Sequence, residues 1–279
     1  MGQWCQTPVS QMLGHRGLTP LSQQKKLVYL TALCYHITML MKKHKRVYIH
    51  FERRGEVMKN FISKYKHALL TLYTPVYLLC FQYLEQTITT EFTALNSPID
   101  NLIPFIPIFI IPYLLWFVYV AGSAVYFIFN SQRDFIKLMS FLIIGMTAYI
   151  IICYIFPNGL YNFRPAELRD DNMINRLVAW LYKTDTSTNV FPSIHVYNSI
   201  GVHVAINKSD KIKSRFIKNA SFVLCVLICL STIFLKQHSV YDVIGGIVLM
   251  AFMYFMLYIL PERNAEAKCE AESQQSITD

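Results

Sequence analysis

Two histidines, an aspartate, a serine and an arginine are the residues whose types and spacing could do chemistry. His238 and Asp242 stand four positions apart, which on a helix puts them one turn apart on the same side. An aspartate bonded to one imidazole nitrogen fixes the tautomer, leaves the other lone pair free to attack, and stabilises the positive charge that develops. Taken alone, the pair also fits a satisfied structural contact at a helix end. The run Asn189, Val190, Phe191, Pro192, Ser193, Ile194, His195 reads as a helix start, with an Asn cap and a proline near the first helical position. Unpaired amides at such an end attract phosphate, and the Ser193 hydroxyl adds a donor or simply serves as a cap. His195 supplies the proton that a departing alkoxide needs. Arg164 offers a fixed fork of donors to a phosphate, or marks a loop at headgroup level.

The elements that would hold these residues are apolar and long. Of 279 residues, 54% are hydrophobic and 15% charged, against roughly 25% charged in soluble domains. A run of about 20 apolar residues spans the hydrocarbon layer. Six stretches approach that length: 67–82, 106–129, 135–156, 191–206, 220–235 and 240–260. Backbone groups in lipid must pair internally, so the expected fold is an all-α integral membrane bundle of six transmembrane helices. The net charge of +9 is gathered beside these runs, as topology signals are, which argues against nucleic acid. Four of the seven cysteines, Cys80, Cys153, Cys225 and Cys229, fall inside apolar runs, where a thiol behaves as a small hydrophobe. No disulfide framework and no metal site follow from them.

Lys42, Lys43, Lys45, Arg46, Arg53, Arg54, Lys59, Lys64 and Lys66 precede the first run, whereas the segment from Glu85 to Phe105 holds no Lys or Arg. Both termini are therefore expected in the cytoplasm, and Lys208, Lys211, Lys213, Arg215 and Lys218 support the same register. That places Arg164, Ser193, His195, His238 and Asp242 together at the extracytoplasmic face, with the cell membrane as the expected location. Residues 1–57 read as a basic N-terminal extension, an interfacial helix or disordered; residues 58–261 form the membrane domain, and 262–279 a disordered tail. No repeated half or interrupted helix pair of the transporter kind occurs.

With these residues in hand, the pattern resembles the type 2 phosphatidic acid phosphatase superfamily, which includes lipid phosphatases, inositol phosphorylceramide synthases and sphingomyelin synthases. The resemblance rests on Arg164-Pro165, then Pro192-Ser193-Ile194-His195, then Ser231 through His238 to Asp242, over roughly 66–260. It implies a lipid phosphate phosphatase with His238 as nucleophile, Asp242 orienting it and His195 protonating the leaving group. Arg164 and Ser193 would bind the phosphate, and no cofactor is implied. A lipid phosphotransferase and a catalytically inactive lipid-phosphate-binding protein are the alternatives. Two family cations are missing, since the first-signature Lys falls at Pro157 and the third-signature Arg at Thr232. Lys236, expected one turn beyond Thr232 on the same helical face, is the candidate replacement.

Overall fold

The computed structural model describes residues 63–168, 172–261 and 263. The expectations for 1–57 and for the tail, residue 263 apart, lie outside them. Seven α-helices occur among the described residues: α1 (Tyr73–Thr87), α2 (Ile110–Asn130), α3 (Gln132–Ile155), α4 (Met173–Thr184), α5 (Ile194–Lys208), α6 (Arg215–Phe234) and α7 (Val240–Tyr254). A 3-10 stretch, Lys66–Leu72, leads into α1, and a π-helical turn, Phe255–Ile259, continues α7.

Four segments are long and apolar enough to cross a membrane: Pro107–Asn130, Gln132–Ile155, Arg215–Phe234 and Val240–Ile259. Large apolar side chains such as Val118, Phe129, Ile151, Val248 and Phe252 lie exposed on them, a surface that suits lipid rather than water. The protein is a helical integral membrane protein. Pro107 opens a 3-10 turn and Pro112 falls in the first turn of α2, where a missing N–H removes no intrahelical bond. Ser131 alone separates α2 from α3, and its hydroxyl accepts from Asp134 N at 3.3 Å.

α5 has only 15 residues, yet α2, α3, α6 and α7 all pack against it. Its interior position explains why residues on every face, from Ile194 to Ile206, are buried. Phe141 of α3 stacks on Tyr197 of α5 with centroids 4.4 Å apart, and the Tyr197 hydroxyl donates to Phe141 O at 2.8 Å. The stack occupies the space that side chains at Gly145 and Gly201 would need. Among polar groups inside the bundle, Tyr119 of α2 and His203 of α5 both meet the Ser221 hydroxyl of α6, at 2.6 and 3.1 Å.

The end of the bundle where α5 and α7 begin carries a layer of connecting structure. A short parallel pair joins β1 (Thr93–Ala94) to β2 (Asn158–Gly159), and Gly159 also bridges Thr188. α4 is amphipathic and buries Val178 and Leu181 against Ile110, Tyr113 and Leu235, leaving Met173 and Trp180 exposed. The opposite end carries Arg133 in the first turn of α3, Lys208 at the last position of α5, and Lys211 and Lys213 on the turn between α5 and α6.

Candidate active site

The turn between α6 and α7 is built from its backbone. α6 stops at Phe234, and Lys236 adopts φ 53°. Lys236 N donates to Ile233 O at 3.0 Å, while Gln237 N and His238 N both reach Thr232 O, at 2.9 and 3.1 Å. These bonds make a Schellman-type stop with a lysine where glycine is usual. Lys236 is therefore off the helix, and the expected shared helical face with Thr232 does not exist. Its ammonium donates to Asp100 O at 2.7 Å and lies 5.2 Å from the Phe163 ring centroid. Partial burial pulls its pKa down, opposed by Asp100.

Ser239 then caps α7 in a capping box: its hydroxyl accepts from Tyr241 N at 3.3 Å, and Asp242 Oδ2 accepts from Ser239 N at 2.8 Å. The same Oδ2 stands 3.5 Å from His238 Nδ1, an ion-pair rather than a hydrogen-bond distance. Asp242 is fully buried, and among the described residues its Oδ1 has no partner.

α5 starts four positions later than an Asn189 cap would place it. The cap is Ser193, whose hydroxyl accepts from Val196 N at 3.5 Å, whereas Asn189 lies ahead of the helix at φ 54°. Ser193 N donates to Asp242 O at 2.9 Å, so the starts of α5 and α7 are joined through their backbones. Gly246 permits the approach, because a Cβ there would lie 2.7 Å from Ser193 O and 3.2 Å from Val196 Cβ. The approach brings His195 Nδ1 to 3.4 Å from His238 Nε2. The His195 ring also packs 4.6 Å from Tyr113 and 4.4 Å from Trp116, both on α2.

Arg164 is heavily committed. It donates to Tyr182 O at 3.1 Å, to Asp185 O and Thr186 O at 2.7 Å each, and to Gln237 Oε1, and it stacks 4.4 Å above the Tyr182 ring. Burial lowers its pKa, opposed by Asp185, but a guanidinium stays charged. Gln237 precedes His238, so Arg164 reaches the site through that side chain. Its Nε is buried without a partner among the described residues.

The structure thus brings His195, Ser193, His238 and Asp242 together, attaches Arg164 through Gln237, and turns Lys236 toward Asp100. Residues 138–266 match the PAP2 superfamily. The match bears out the resemblance to the type 2 phosphatidic acid phosphatases, a superfamily whose members are generally phosphatases or phosphotransferases. No curated protein and no solved structure matches the chain. Where the PAP2 pattern has two further cations, Pro157 accepts a backbone bond from Thr93 N at 2.9 Å and Thr232 turns its hydroxyl to Cys229 O at 2.8 Å.

Sequence reading missed Asp100, Tyr113, Trp116 and Gln237. Asp100 alone left a signal, since Ser97-Pro98-Ile99-Asp100 is a capping-box pattern with proline at the first position.

Proposed function

We propose that the protein is a membrane-embedded lipid phosphate phosphatase acting through a phosphohistidine, in a six-span bundle with its site on the extracytoplasmic side. The observation that carries the reading is the chain Asp242 Oδ2, His238 Nδ1, His238 Nε2, His195 Nδ1, with gaps of 3.5 and 3.4 Å on either side of the His238 ring. The Asp242 carboxylate beside Nδ1 favours the proton on that nitrogen, which leaves the Nε2 lone pair facing His195. α1 and α5 supply the two spans beyond the four apolar ones. The basic residues at the opposite end of the bundle support the sidedness.

Nε2 attacks phosphorus as the phosphorus–oxygen ester bond breaks, and His195 delivers its proton to the departing alkoxide. Water then attacks the phosphohistidine while His195 takes a proton back, and inorganic phosphate leaves. An attacking nitrogen stands roughly 3–3.5 Å from phosphorus and a donor about 2.8 Å from the ester oxygen. The 3.4 Å between the two imidazoles is too little for both, so the rings part as the phosphate enters. Ser193 and Arg164 are the proposed phosphate ligands, with Arg164 giving up a carbonyl contact to reach it; Lys236 joins them only by releasing Asp100 O.

A cavity of about 510 Å³ lined by Glu85, Thr90, Tyr161, Thr186, Ser187 and Thr188 supports a second reading. It lies beside the segment leading into Ser193 and has room for a hydroxyl-bearing headgroup, which would make the protein a phosphotransferase. Purified protein given headgroup-labelled phosphatidic acid, with and without hydroxylated lipids, separates the readings: label in free phosphate marks hydrolysis and label in a new lipid marks transfer. His238→Ala abolishes both. Turnover that survives this change rejects the nucleophile, and a wild-type protein without turnover on any lipid phosphate leaves a binding protein.

A further inference from the structure

We infer that Asp100, from the loop between α1 and α2, is a positioning residue that sets the tautomer and aim of His238; the inference rests on the phosphohistidine reading. Asp100 is a 2% exposed carboxylate. Its Oδ2 accepts from Ser97 N and from the Ser239 hydroxyl at 2.7 Å each, and its Oδ1 accepts from Val240 N at 3.0 Å. Its own carbonyl receives the Lys236 ammonium at 2.7 Å. Three residues of the turn that bears His238, namely Lys236, Ser239 and Val240, are thus fastened to one aspartate.

A carboxylate can only accept, so the Ser239 hydroxyl must spend its proton on Asp100. Its lone pairs are then aimed at Tyr241 N, which holds the first turn of α7 and keeps Ser239 N directed at Asp242 Oδ2. That bond fixes the oxygen facing His238 Nδ1. The line Asp100, Ser239, Asp242, His238 therefore carries an orientation from a loop into the attacking ring. Asparagine at 100 cannot substitute: its amide nitrogen would confront either Ser97 N or Val240 N, donor against donor.

The test uses Asp100→Asn, Ser239→Ala and the double variant in full-length protein, with kcat and KM measured well below each unfolding midpoint. Asp100→Asn is expected to lower kcat by about 10–100-fold, the scale of losing a group that orients a reacting side chain, with KM little changed. The double variant is expected to be no slower than the worse single one. A wild-type kcat in Asp100→Asn, or losses that multiply in the double variant, overturns the inference. Imidazole ¹⁵N spectra, with the His238 signal identified by its loss in His238→Gln, need no turnover. A Nδ1 proton in the wild type that becomes shared between both nitrogens in Asp100→Asn supports the positioning role even if the phosphatase reading fails, and an unchanged spectrum rejects it.

Discussion

Replacing Asp242 with asparagine separates the charge of this residue from its shape. The amide oxygen can take the place of Oδ2, keep the 2.8 Å bond from Ser239 N and still face His238 Nδ1. The amide nitrogen then occupies the Oδ1 position, which has no partner among the described residues, so no existing bond is broken. What disappears is the attraction between carboxylate and the imidazolium that forms as Nε2 attacks. At 3.5 Å and an effective dielectric of about 20, that attraction is about 5 kcal/mol. The smaller figure, the gap between a charge-assisted and a neutral hydrogen bond, is about 1–2 kcal/mol. Turnover should therefore fall by roughly 5- to 5,000-fold. Stability should hold or rise, because a buried carboxylate with one unpaired oxygen is replaced by a neutral group. Phosphate release from labelled phosphatidic acid, read beside a thermal unfolding curve, tests both halves. Wild-type turnover in Asp242→Asn, or a loss of activity matched by a loss of folded protein, refutes the argument.

His195→Ala should slow cleavage of a lipid phosphate by about 10²–10⁴-fold, the usual worth of a positioned acid. It should slow p-nitrophenyl phosphate much less, because that leaving group departs without a proton; equal losses on both substrates would count against His195 as the acid. Gly246→Ala puts a methyl 2.7 Å from Ser193 O, which costs about 1–3 kcal/mol of stability by overpacking. Its effect on kcat should be larger than that on unfolding, since the displacement falls between the helix starts that carry His195 and Asp242. A variant that loses stability alone would show that the two imidazoles are aligned by something other than this approach.

The apolar runs made the long helices legible, because a span must be apolar whatever it packs against. Four of the six runs are found as segments able to cross a membrane. α4 stayed hidden although Ile174, Leu177, Val178 and Leu181 recur at helical spacing; the run is short and lies among loop residues between two far stronger signals. The His238 and Asp242 pairing was legible because one turn of helix fixes it locally. The contact of His195 with His238 was legible only as a shared membrane face, since it depends on Gly246 and a backbone bond from Ser193 to Asp242. Lys236 misled for a physical reason: continuing α6 by periodicity assumes that a lysine does not stop a helix, and here a lysine takes the left-handed position that usually requires glycine.

The site draws on two kinds of sequence. The PAP2 match begins at residue 138, so it contains His195, His238 and Asp242 but neither the aromatic wall of Tyr113 and Trp116 nor Asp100. Both external contributions act on the two imidazoles from outside the matched stretch: the wall limits where the His195 ring can lie, and Asp100 fastens the turn behind His238. Tyr113 is itself pinned by its hydroxyl to Asp185 Oδ2 at 2.7 Å, while Asp185 O holds Arg164. The aromatic wall and the guanidinium therefore share one anchor, the end of α4, and a movement of α4 would shift the surroundings of His195 and Arg164 together. In a site with two fewer cations than the family pattern, the proposed chemistry would depend on this coupling: the helices bring the candidate groups together, and the loops beside them hold those groups in place.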